Sequence, residues 1–532
     1  MKRFIFLLPV AFLFACSVSK QKAATTVNSQ VHIPVVSEVG ALALPDEIAP
    51  VTAPFPMPQF KKPTFPSLSI SIIEKGAKEG IKNTGMIQAA IDEVNRRGGG
   101  TVIVPAGKWN TGRISLKSNV NLHLAEGAEL HFSGEVEDYR PAVFTRHEGI
   151  EVMSLGACIY AYQQENIALT GKGKLVGPSG GSIKKQMMTQ DVVENVVPYN
   201  KPVSERVYEG YNGDFIFLPM FVSPTSCKNV YIEGITLEHT PFWNIVPVYC
   251  DGVIIRGITV NSVGVPRGDG IDIESSRNVL IEYSTLSCGD DCFTMKSGRD
   301  KDGVRVNKPT ENVVVRYCLA REGHGGITVG SETAGMIRNL YVHDCVFDDT
   351  GVGIRFKTRR PRGGGGENLY YERIRMNLRD DAFNWDMLGG KQYVGDLAVR
   401  LPAREINSLT PVFKNIEARN IIVEKAKYFI KVKGIPESPL TNVLIEQADI
   451  SCKNLFTAHD IKDITLRNLN IQSQDSLISI LDGRNVIFEK VRFNVPGNAI
   501  VTDISGPLSQ NIKFENSTPQ KPKGWENTVW SR

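Results

Sequence analysis

The sequence predicts an all-β fold, a single-stranded right-handed parallel β-helix with a short N-terminal capping helix, and two observations lead to this prediction. Short segments that begin with Asn or Asp recur along the chain, each followed by an aliphatic residue and by alternating side chains. Alternation with a period of two indicates strands. A recurring unit of this kind means that stacked neighbours share one core.

The spacing of these segments sets the length of the unit. The aliphatic residue recurs at steps of 23, 26, 34 and 27 residues through Val230, Val253, Val279, Val313 and Leu340. A second series has steps of 21, 22 and 26 residues through Val443, Ile464, Val486 and Ile512. A propeller blade needs about forty residues or more, and the pattern of a leucine-rich repeat is absent. A unit of this length with strand character is typical of one coil of a parallel β-helix, and the longer steps are coils that carry loops.

One helix is predicted at the start of this domain. Met86, Ile87, Ala90, Ile91 and Val94 recur at helical spacing, and the glycines that follow end the helix before the strand "TVIVP". Because the end of a solenoid exposes its core, we expect this helix to cap the first coil.

The first residues predict export and a lipid anchor. Lys2 and Arg3 precede an apolar run, residues 4–15, that is too short to span a bilayer as a helix. The segment "LFAC" resembles the bacterial lipoprotein signal, so residues 1–16 are predicted to be a signal peptide ending at a lipidated Cys16. The residues that follow lack acidic side chains, which favours a periplasmic rather than a surface location for this membrane-anchored lipoprotein.

The rest of the chain divides into a tether and the repeat domain. Residues 17–66 are rich in Pro, Ala, Thr and Val and are predicted to be an extended tether. Residues 67–532 are predicted to form the β-helix as one domain. Eight cysteines follow Cys16, at spacings that favour buried thiols over a disulfide scaffold or a zinc site.

Composition narrows the classes of function. The net charge of +4 is too small for a chain of this length to predict a nucleic-acid partner, although it does not oppose an anionic substrate. The sequence has no nucleotide-binding glycine loop and no metal-ligand cluster, so no cofactor and no metal are predicted. It assigns no oligomeric state.

Polar residues recur at the turns of successive coils. From Asp269 the step to the pair Asp290–Asp291 is 21 or 22 residues, the next step to His324 is 33 or 34, and the last to Arg355 is 31. These steps match the coil lengths, and residues one coil apart stack about 4.8 Å apart in a parallel sheet. Acidic and basic side chains are therefore predicted to form one patch on one face, whereas two adjacent acids alone would indicate a solvated turn.

Four of these segments resemble a known enzyme family. "GDGIDI", "GDDC", "GHGG" and "RFK" are similar, in order and spacing, to the N-T-D, D-D, G-H-G and R-I-K motifs of glycoside hydrolase family 28, the polygalacturonases. The resemblance covers about residues 70–520, and some of its segments are similar to bacterial members that act from chain ends. It implies a glycoside hydrolase that cleaves α-galacturonosyl linkages of pectin with inversion.

The resemblance also implies roles for the catalytic residues. Asp290 is expected to be the general acid, and Asp269 and Asp291 are expected to hold and activate the water. His324 would assist the acid and the substrate next to the bond. Repulsion between clustered carboxylates raises at least one pKa, which keeps one acid protonated. The nearby Asp272 is expected to support a turn or hydrogen bonds.

Substrate contacts are expected from four further residues. Arg355 and Lys357 alternate on one face and suit a uronate carboxylate. Trp243, with Tyr249, lines a sugar platform in one interpretation and belongs to the core in the other. Arg267 stands where the family motif has Asn, beside the subsite of the sugar being cleaved.

The departure at Arg267 leaves several specificities open. Simple endo-polygalacturonase action is disfavoured, and the long segment of about residues 135–219 favours exo action by closing one end of the cleft. A rhamnogalacturonan or xylogalacturonan hydrolase on the same fold is the alternative. A calcium-dependent pectate lyase and a β-helix that only binds glycan are the less favoured interpretations.

Overall fold

The computed structural model describes residues 31–187 and 193–519, and the signal peptide predicted for residues 1–16 lies outside this part. Helices α1–α5 span Thr84–Arg96, Gly181–Gln186, Val193–Val196, Asp300–Val306 and Lys391–Val394. Strands β1–β10 span Ser69–Ser71, Gly100–Val104, Gly107–Thr111, Ile114–Ser115, Val120–Leu124, Ala128–Phe132, Val143–His147, Ile150–Ser154, Ala157–Tyr162 and Glu165–Gly171. Strands β11–β20 span Lys174–Val176, Met220–Thr225, Lys228–Glu233, Thr236–Glu238, Asp251–Arg256, Thr259–Asn261, Ile271–Glu274, Arg277–Glu282, Thr285–Ser287 and Phe293–Lys296. Strands β21–β30 span Thr310–Arg316, Leu319–Val329, Ile337–Lys357, Gly365–Leu378, Asp381–Asp386, Val412–Lys433, Leu440–Ser473, Leu477–Asn494, Val501–Ser505 and Gln510–Glu515.

Apart from the antiparallel pair β7–β8, these strands form the predicted right-handed parallel β-helix, along which we distinguish three sheets. Sheet 1 runs from β1 through β2, β5, β10, β13, β15, β18 and β21 to β30. Sheet 2 begins with β3, β6, β11, β14, β16 and β19. Sheet 3 includes β9, β12, β17, β20 and β25. From β22 onward single long strands turn the corners and contribute to more than one sheet, so the coils stay in continuous register.

The recurring asparagine of the sequence repeat lies at the start of several strands of sheet 1. Asn278, Asn312 and Asn339 adopt left-handed backbone conformations, with φ between 55° and 56°. Their side chains stack, because each amide group donates to the Oδ1 of the asparagine one coil earlier, at 3.3 Å from Asn312 to Asn278 and 3.0 Å from Asn339 to Asn312. Asn tolerates this conformation better than other non-glycine residues, which explains why the repeat selects it.

One hydrophobic core runs along the inside of the β-helix from Ile70 to Phe514. Helix α1 buries Ile87, Ala90 and Ile91 against the first coil, which agrees with its predicted place. The eight cysteines after Cys16 are buried free thiols, which confirms the expectation from their spacing. Within the described residues, no helix is both long and apolar enough to cross a membrane.

Residues 31–66, called the strap below, lie along the outside of the β-helix, whereas the sequence predicted an extended tether there. Their apolar side chains contact sheet 1, for example Val51 against Leu280 and Val314. Their carbonyl groups accept hydrogen bonds from arginines of the sheet: Arg316 donates to the carbonyl oxygens of Ala49 and Pro50. This larger part of the predicted tether, residues 31–66, is therefore a packed part of the structure.

Candidate active site

A cleft of about 450 Å³ opens on sheet 3, where polar side chains follow one another from coil to coil. It is lined by seven of the eight residues predicted for catalysis and substrate binding: Arg267, Asp269, Asp290, His324, Arg355, Lys357 and Trp243. The eighth, Asp291, is fully buried beneath them. The predicted patch on one face is therefore present.

Strand register explains why residues far apart in sequence meet here. Ile271 of β17 pairs with Phe293 of β20, Phe293 pairs with Ile327 of β22, and Ile327 pairs with Ile354 of β23. Asp269 and Asp291 each lie two residues before the paired position of their coil, so they stack. Because the apolar residues of these strands point into the core, the residues between them, such as Arg355 and Lys357, point outward into the cleft, whereas Asp269 and Asp291 lie in the segments just before β17 and β20.

Asp291 is held ionised by two cations. Its Oδ1 accepts a hydrogen bond from Nη1 of Arg355 at 2.8 Å, and its Oδ2 accepts one from Nζ of Lys357 at 2.6 Å. Burial alone would raise the pKa of Asp291, but the charges of Lys357 and Arg355 lower it below its ordinary value. Both cations predicted to bind substrate therefore also neutralise this carboxylate.

Asp290 lies beside His324 and keeps partial access to solvent. Nδ1 of His324 lies 3.0 Å from Oδ1 of Asp290, and the backbone N–H of His324 donates to the carbonyl oxygen of Asp290 at 2.8 Å. Burial opposes ionisation of Asp290, but the hydrogen bond to His324 lowers its pKa. The same bond raises the pKa of His324 above its ordinary value.

Among Asp269, Asp290 and Asp291, Asp269 is the aspartate whose surroundings favour the protonated form. Burial, together with the nearby charges of Asp272 and Asp290, raises the pKa of Asp269 well above its ordinary value. One oxygen of each of Asp269, Asp290 and Asp291 lies within 4.8 Å of the others. The cluster thus holds a protonated and an ionised carboxyl group side by side, which acid–base chemistry requires.

A buried lysine that the sequence analysis did not single out faces this cluster. Nζ of Lys296, on β20, lies 3.7 Å from Oδ2 of Asp269, 3.5 Å from Oδ1 of Asp272 and 3.1 Å from Oε2 of Glu332. The sequence did contain a sign of this residue, because a lysine alternates with the apolar residues of the strand segment "CFTMKSG". Since cations already face these carboxylates, their clustering does not call for a metal ion.

Asp272 differs from its expected role. It lies within β17 rather than in a turn, and neither of its fully buried oxygens has a hydrogen-bond partner in the described structure. Burial, opposed by Lys296, raises the pKa of Asp272 to about 7.

The turn between β7 and β8 forms one wall of the cleft. Oε1 of Glu148, in this turn, lies 3.2 Å from Nε of Arg267, and its Oε2 lies 3.5 Å from Nη2 of Arg299. The backbone N–H of Arg299 donates to the carbonyl oxygen of Gly149 at 3.1 Å, which fixes the turn against the site. Neither Glu148 nor Arg299 was found from the sequence, because no repeat or charge pattern marks them.

The predicted aromatic residues have different environments. Trp243 lies in the floor of the cleft, is 3% exposed, and presents its ring to Nζ of Lys296 at 4.2 Å from the ring centroid. Tyr249 does not line the cleft; its hydroxyl donates to Oε1 of Glu151 at 2.9 Å. Arg359 also lines the cleft and stacks over the ring of Tyr393 at 4.4 Å.

Comparisons with known proteins agree with this geometry. The profile of "Glycosyl hydrolases family 28" matches residues 212–380, which include the cleft residues from Arg267 to Lys357. A probable polygalacturonase of Vitis vinifera is 28% identical over 399 residues, covering 72% of this chain and 75% of that protein. The exo-poly-alpha-D-galacturonosidase of Dickeya chrysanthemi is 26% identical over 343 residues, covering 59% of this chain and 56% of that protein.

Solved structures share the fold. The hyperthermoactive exopolygalacturonase of Thermotoga maritima superimposes with a TM-score of 0.64 at 27% identity, covering 83% of this chain and 93% of that one. The family 28 exopolygalacturonase of Yersinia enterocolitica gives a TM-score of 0.60 at 21% identity, over 82% of this chain and 78% of that one. Together with the carboxylate cluster, these likenesses show that the chain is a glycoside hydrolase whose residues 212–380 match the profile of glycosyl hydrolases family 28.

Proposed function

We propose that this enzyme hydrolyses α-galacturonosyl linkages of pectin from a chain end, with inversion at the anomeric carbon. The observation that carries the proposal is the cluster of Asp269, Asp290 and Asp291, whose oxygens lie within 4.8 Å of one another beside Arg355 and Lys357. Hydrolysis of a glycosidic bond needs a proton for the leaving oxygen and a base for the attacking water. One cluster supplies both.

Asp290 is the proposed general acid. Its side chain is 24% exposed, so it can reach the glycosidic oxygen of a sugar in the cleft, and it is tied to His324. Asp269 and Asp291 lie deeper and are proposed to hold the water. Since Asp291 is paired with two cations through both of its oxygens, it is better suited to orienting a water than to attacking carbon.

Arg355 and Lys357 are proposed to recognise a uronate carboxylate. Their side chains are 27% and 23% exposed, and both line the cleft while contacting Asp291 underneath. A guanidinium and an ammonium group offer further donors, so a substrate carboxylate can bind them on the open side. A neutral sugar would leave these buried charges without an anionic partner from the substrate.

The wall formed by the β7–β8 turn supports action from a chain end. The ion pairs of Glu148 with Arg267 and Arg299 hold the turn against the cleft. A polysaccharide that must thread past this point would meet backbone and charged side chains. The relatives from Dickeya chrysanthemi and Thermotoga maritima, both named as exo-acting enzymes, support the same mode.

Arg267 is the reason for considering a second substrate specificity. It replaces the asparagine of the family motif, lines the cleft, and is held by Glu148. This cation changes the subsite beside the scissile bond, so a rhamnogalacturonan or xylogalacturonan linkage is the alternative substrate on the same fold.

We also propose that the protein is an exported lipoprotein anchored through Cys16, on the periplasmic side of a membrane. The support is the charged start, the short apolar run and the "LFAC" segment of the sequence. Labelling cells with a radioactive fatty acid would test this, because a Cys16→Ser variant would then lose the label.

Product analysis tests the proposed activity. The purified protein is incubated without calcium with polygalacturonate, galacturonate oligomers, rhamnogalacturonan and xylogalacturonan, beside Asp290→Asn and a matched control, Asp251→Asn, outside the cleft. We expect saturated galacturonate monomer from a galacturonan, lost in Asp290→Asn and retained in Asp251→Asn. Proton NMR during the first minutes should show the β-anomer, because inversion at an α-linkage produces it.

Other outcomes would contradict the proposal. Products that absorb in the ultraviolet would mean elimination by a lyase. Release from rhamnogalacturonan or xylogalacturonan alone would establish the alternative substrate. Binding without turnover on every substrate would mean that the β-helix only binds glycan.

A further inference from the structure

The ammonium group of Lys296 is buried among carboxylates directly beneath the cleft. Its side chain is 3% exposed, and its Nζ lies 3.7 Å from Asp269, 3.5 Å from Asp272 and 3.1 Å from Glu332. The ring of Trp243 lies across it, at 4.2 Å from the ring centroid. A lysine this deep is rare unless it is paired, and here carboxylates and an aromatic face account for its contacts.

Each carboxyl group of the catalytic cluster has its own cationic neighbour. Asp291 has Arg355 and Lys357, and Asp290 has His324. The ion pair found for Asp269 is the one with Lys296. Because different residues supply these cations, the protonation state of each carboxyl group can be adjusted separately.

We propose that Lys296 is a positioning residue, which allows the buried Asp269 to release its proton and to act as the base for the attacking water. The inference rests on the proposed function, since it assigns a task to Lys296 in that reaction. Lys296 lies at the base of the cleft with its side chain only 3% exposed, and the proposed role is exerted through Asp269 rather than through contact with the glycosidic oxygen.

The charges around Asp269 support this assignment. Asp272 from β17, and Asp290 and Asp291 from the turn before β20, all oppose its ionisation, as does its burial, and Lys296 favours it. Without the lysine, ionised Asp269 would face like charges in a buried site. An opposite charge at this range lowers the pKa of an acid by about one to three units.

The surroundings of Lys296 keep it charged. Burial alone would lower its pKa, but the carboxylates of Glu332, Asp272 and Asp269 raise it well above the ordinary value. Glu332 is itself fixed by a hydrogen bond from Arg299. The cation is therefore present throughout the pH range in which carboxyl groups titrate.

The proton released by Asp269 has a nearby acceptor. An oxygen of Asp290 lies within 4.8 Å, a distance that one water molecule bridges. When the proton passes from a carboxyl oxygen of Asp269 to one of Asp290, Asp269 becomes the carboxylate base and Asp290 becomes the neutral acid. The reaction consumes both: Asp290 gives its proton to the leaving oxygen, and Asp269 takes one from water, which restores the starting count.

The test is the pH profile of Lys296→Met beside the charge-retaining control Lys296→Arg. Removing the cation raises the pKa of Asp269, so we expect the basic limb of kcat/KM, where the proton shared by Asp269 and Asp290 is lost, to move up by about one pH unit or more. We expect kcat between the two limbs to fall about tenfold per unit, because the form with the proton on Asp290 becomes rarer, with KM little changed, because Arg355 and Lys357 remain. Lys296→Arg should keep the limb near its original place.

A second variant and a stability measurement separate the proposed role of Lys296 from a loss of folding. Lys296→Gln, which is polar, serves if Met in this pocket prevents folding, and thermal unfolding monitored by circular dichroism reports stability separately. Loss of thermal stability with an unmoved basic limb and an unchanged kcat would overturn the inference, because a purely structural lysine would behave in this way.

A direct titration separates this inference from the proposed function. The carboxyl resonances of protein labelled with 13C-aspartate are followed against pH, and the Asp269 resonance is assigned by its loss in Asp269→Asn. A higher titration midpoint for Asp269 in Lys296→Met than in the wild type supports the inference even if no galacturonan is hydrolysed. An equal or lower midpoint overturns it, whatever the substrate.

Discussion

Nδ1 of His324 lies 3.0 Å from Oδ1 of Asp290, and a backbone hydrogen bond joins the same two residues. Two residues one coil apart are therefore coupled through both their side chains and their main chains. The hydrogen bond from the imidazolium stabilises the carboxylate, so each group holds the other in its charged form. Donation of the Asp290 proton to a bound substrate would therefore also affect His324.

The pKa of His324 should depend on Asp290. The carboxylate raises the pKa of His324, so the imidazole stays protonated below that raised pKa and loses its proton as the pH rises through it. In Asp290→Asn we expect the His324 pKa to fall by about one unit. An NMR titration of the imidazole protons, with His324→Gln to assign the resonance, measures this. An unchanged His324 titration in Asp290→Asn would contradict the coupling.

Lys357→Met should weaken the recognition of a substrate carboxylate. It removes the ammonium group 2.6 Å from Oδ2 of Asp291, and with it one charged donor of the cleft. Hydrogen bonds to charged groups contribute about 1.5–3 kcal/mol, so we expect kcat/KM on galacturonate oligomers to fall about 10- to 100-fold. Methyl-esterified oligomers, which lack the charge, serve as the matched substrate. If Lys357→Met lowered kcat/KM equally on both, the lysine would not read the carboxylate.

Glu148 should limit how far the bound substrate chain extends along the cleft. Glu148→Ala shortens the wall and frees Arg267 and Arg299 from this carboxylate, whereas Glu148→Gln keeps the shape and removes the charge. If the wall closes the cleft by its shape, only Glu148→Ala should release di- and trigalacturonate besides the monomer from polygalacturonate. Chromatography of early products distinguishes the variants. Monomer alone from both variants would mean that this side chain does not limit the chain.

The β-helix and most of the cluster could be predicted from the sequence because both repeat with the coil. Asparagine recurs where each coil needs a left-handed residue, as at Asn278 and Asn312. Asp269 and Asp291 recur at the step between paired positions of successive coils, and strand register brings such positions together, whereas Arg355 pairs with Thr328 and reaches Asp291 with its long side chain. Periodicity thus carries information about contacts between distant residues.

The rest of the site lacks such a signal. Glu148 reaches the cleft from a hairpin outside the repeat, and its position depends on the packing of that hairpin. The raised pKa of Asp269 follows from burial and its acidic neighbours, and the lowered pKa of Asp290 follows from its hydrogen bond to His324, which outweighs burial; these surroundings are set by the three-dimensional structure. The strap is held largely through backbone carbonyl groups, and these do not depend on residue type.

The strap should stabilise the β-helix through a buried ladder of charges. Along sheet 1, Arg256 lies 2.8 Å from Glu282, and Glu282 lies 2.7 Å from Arg316, so the register alternates the charges from coil to coil. The strap covers this ladder and excludes water from it, while its carbonyl groups at Ala49 and Pro50 satisfy the remaining donors of Arg316.

Arg316→Ala tests this role. It leaves part of a buried carboxylate and two strap carbonyl groups without their donor, so we expect the free energy of unfolding to fall by about 3 kcal/mol. Arg277→Ala is the matched control, because its ion pair with Asp251 is on the surface and should cost less than about 1 kcal/mol. Denaturant unfolding measures both, and limited proteolysis should cut residues 31–66 first in Arg316→Ala. Equal losses in the two variants would show that the strap and the ladder do not act together.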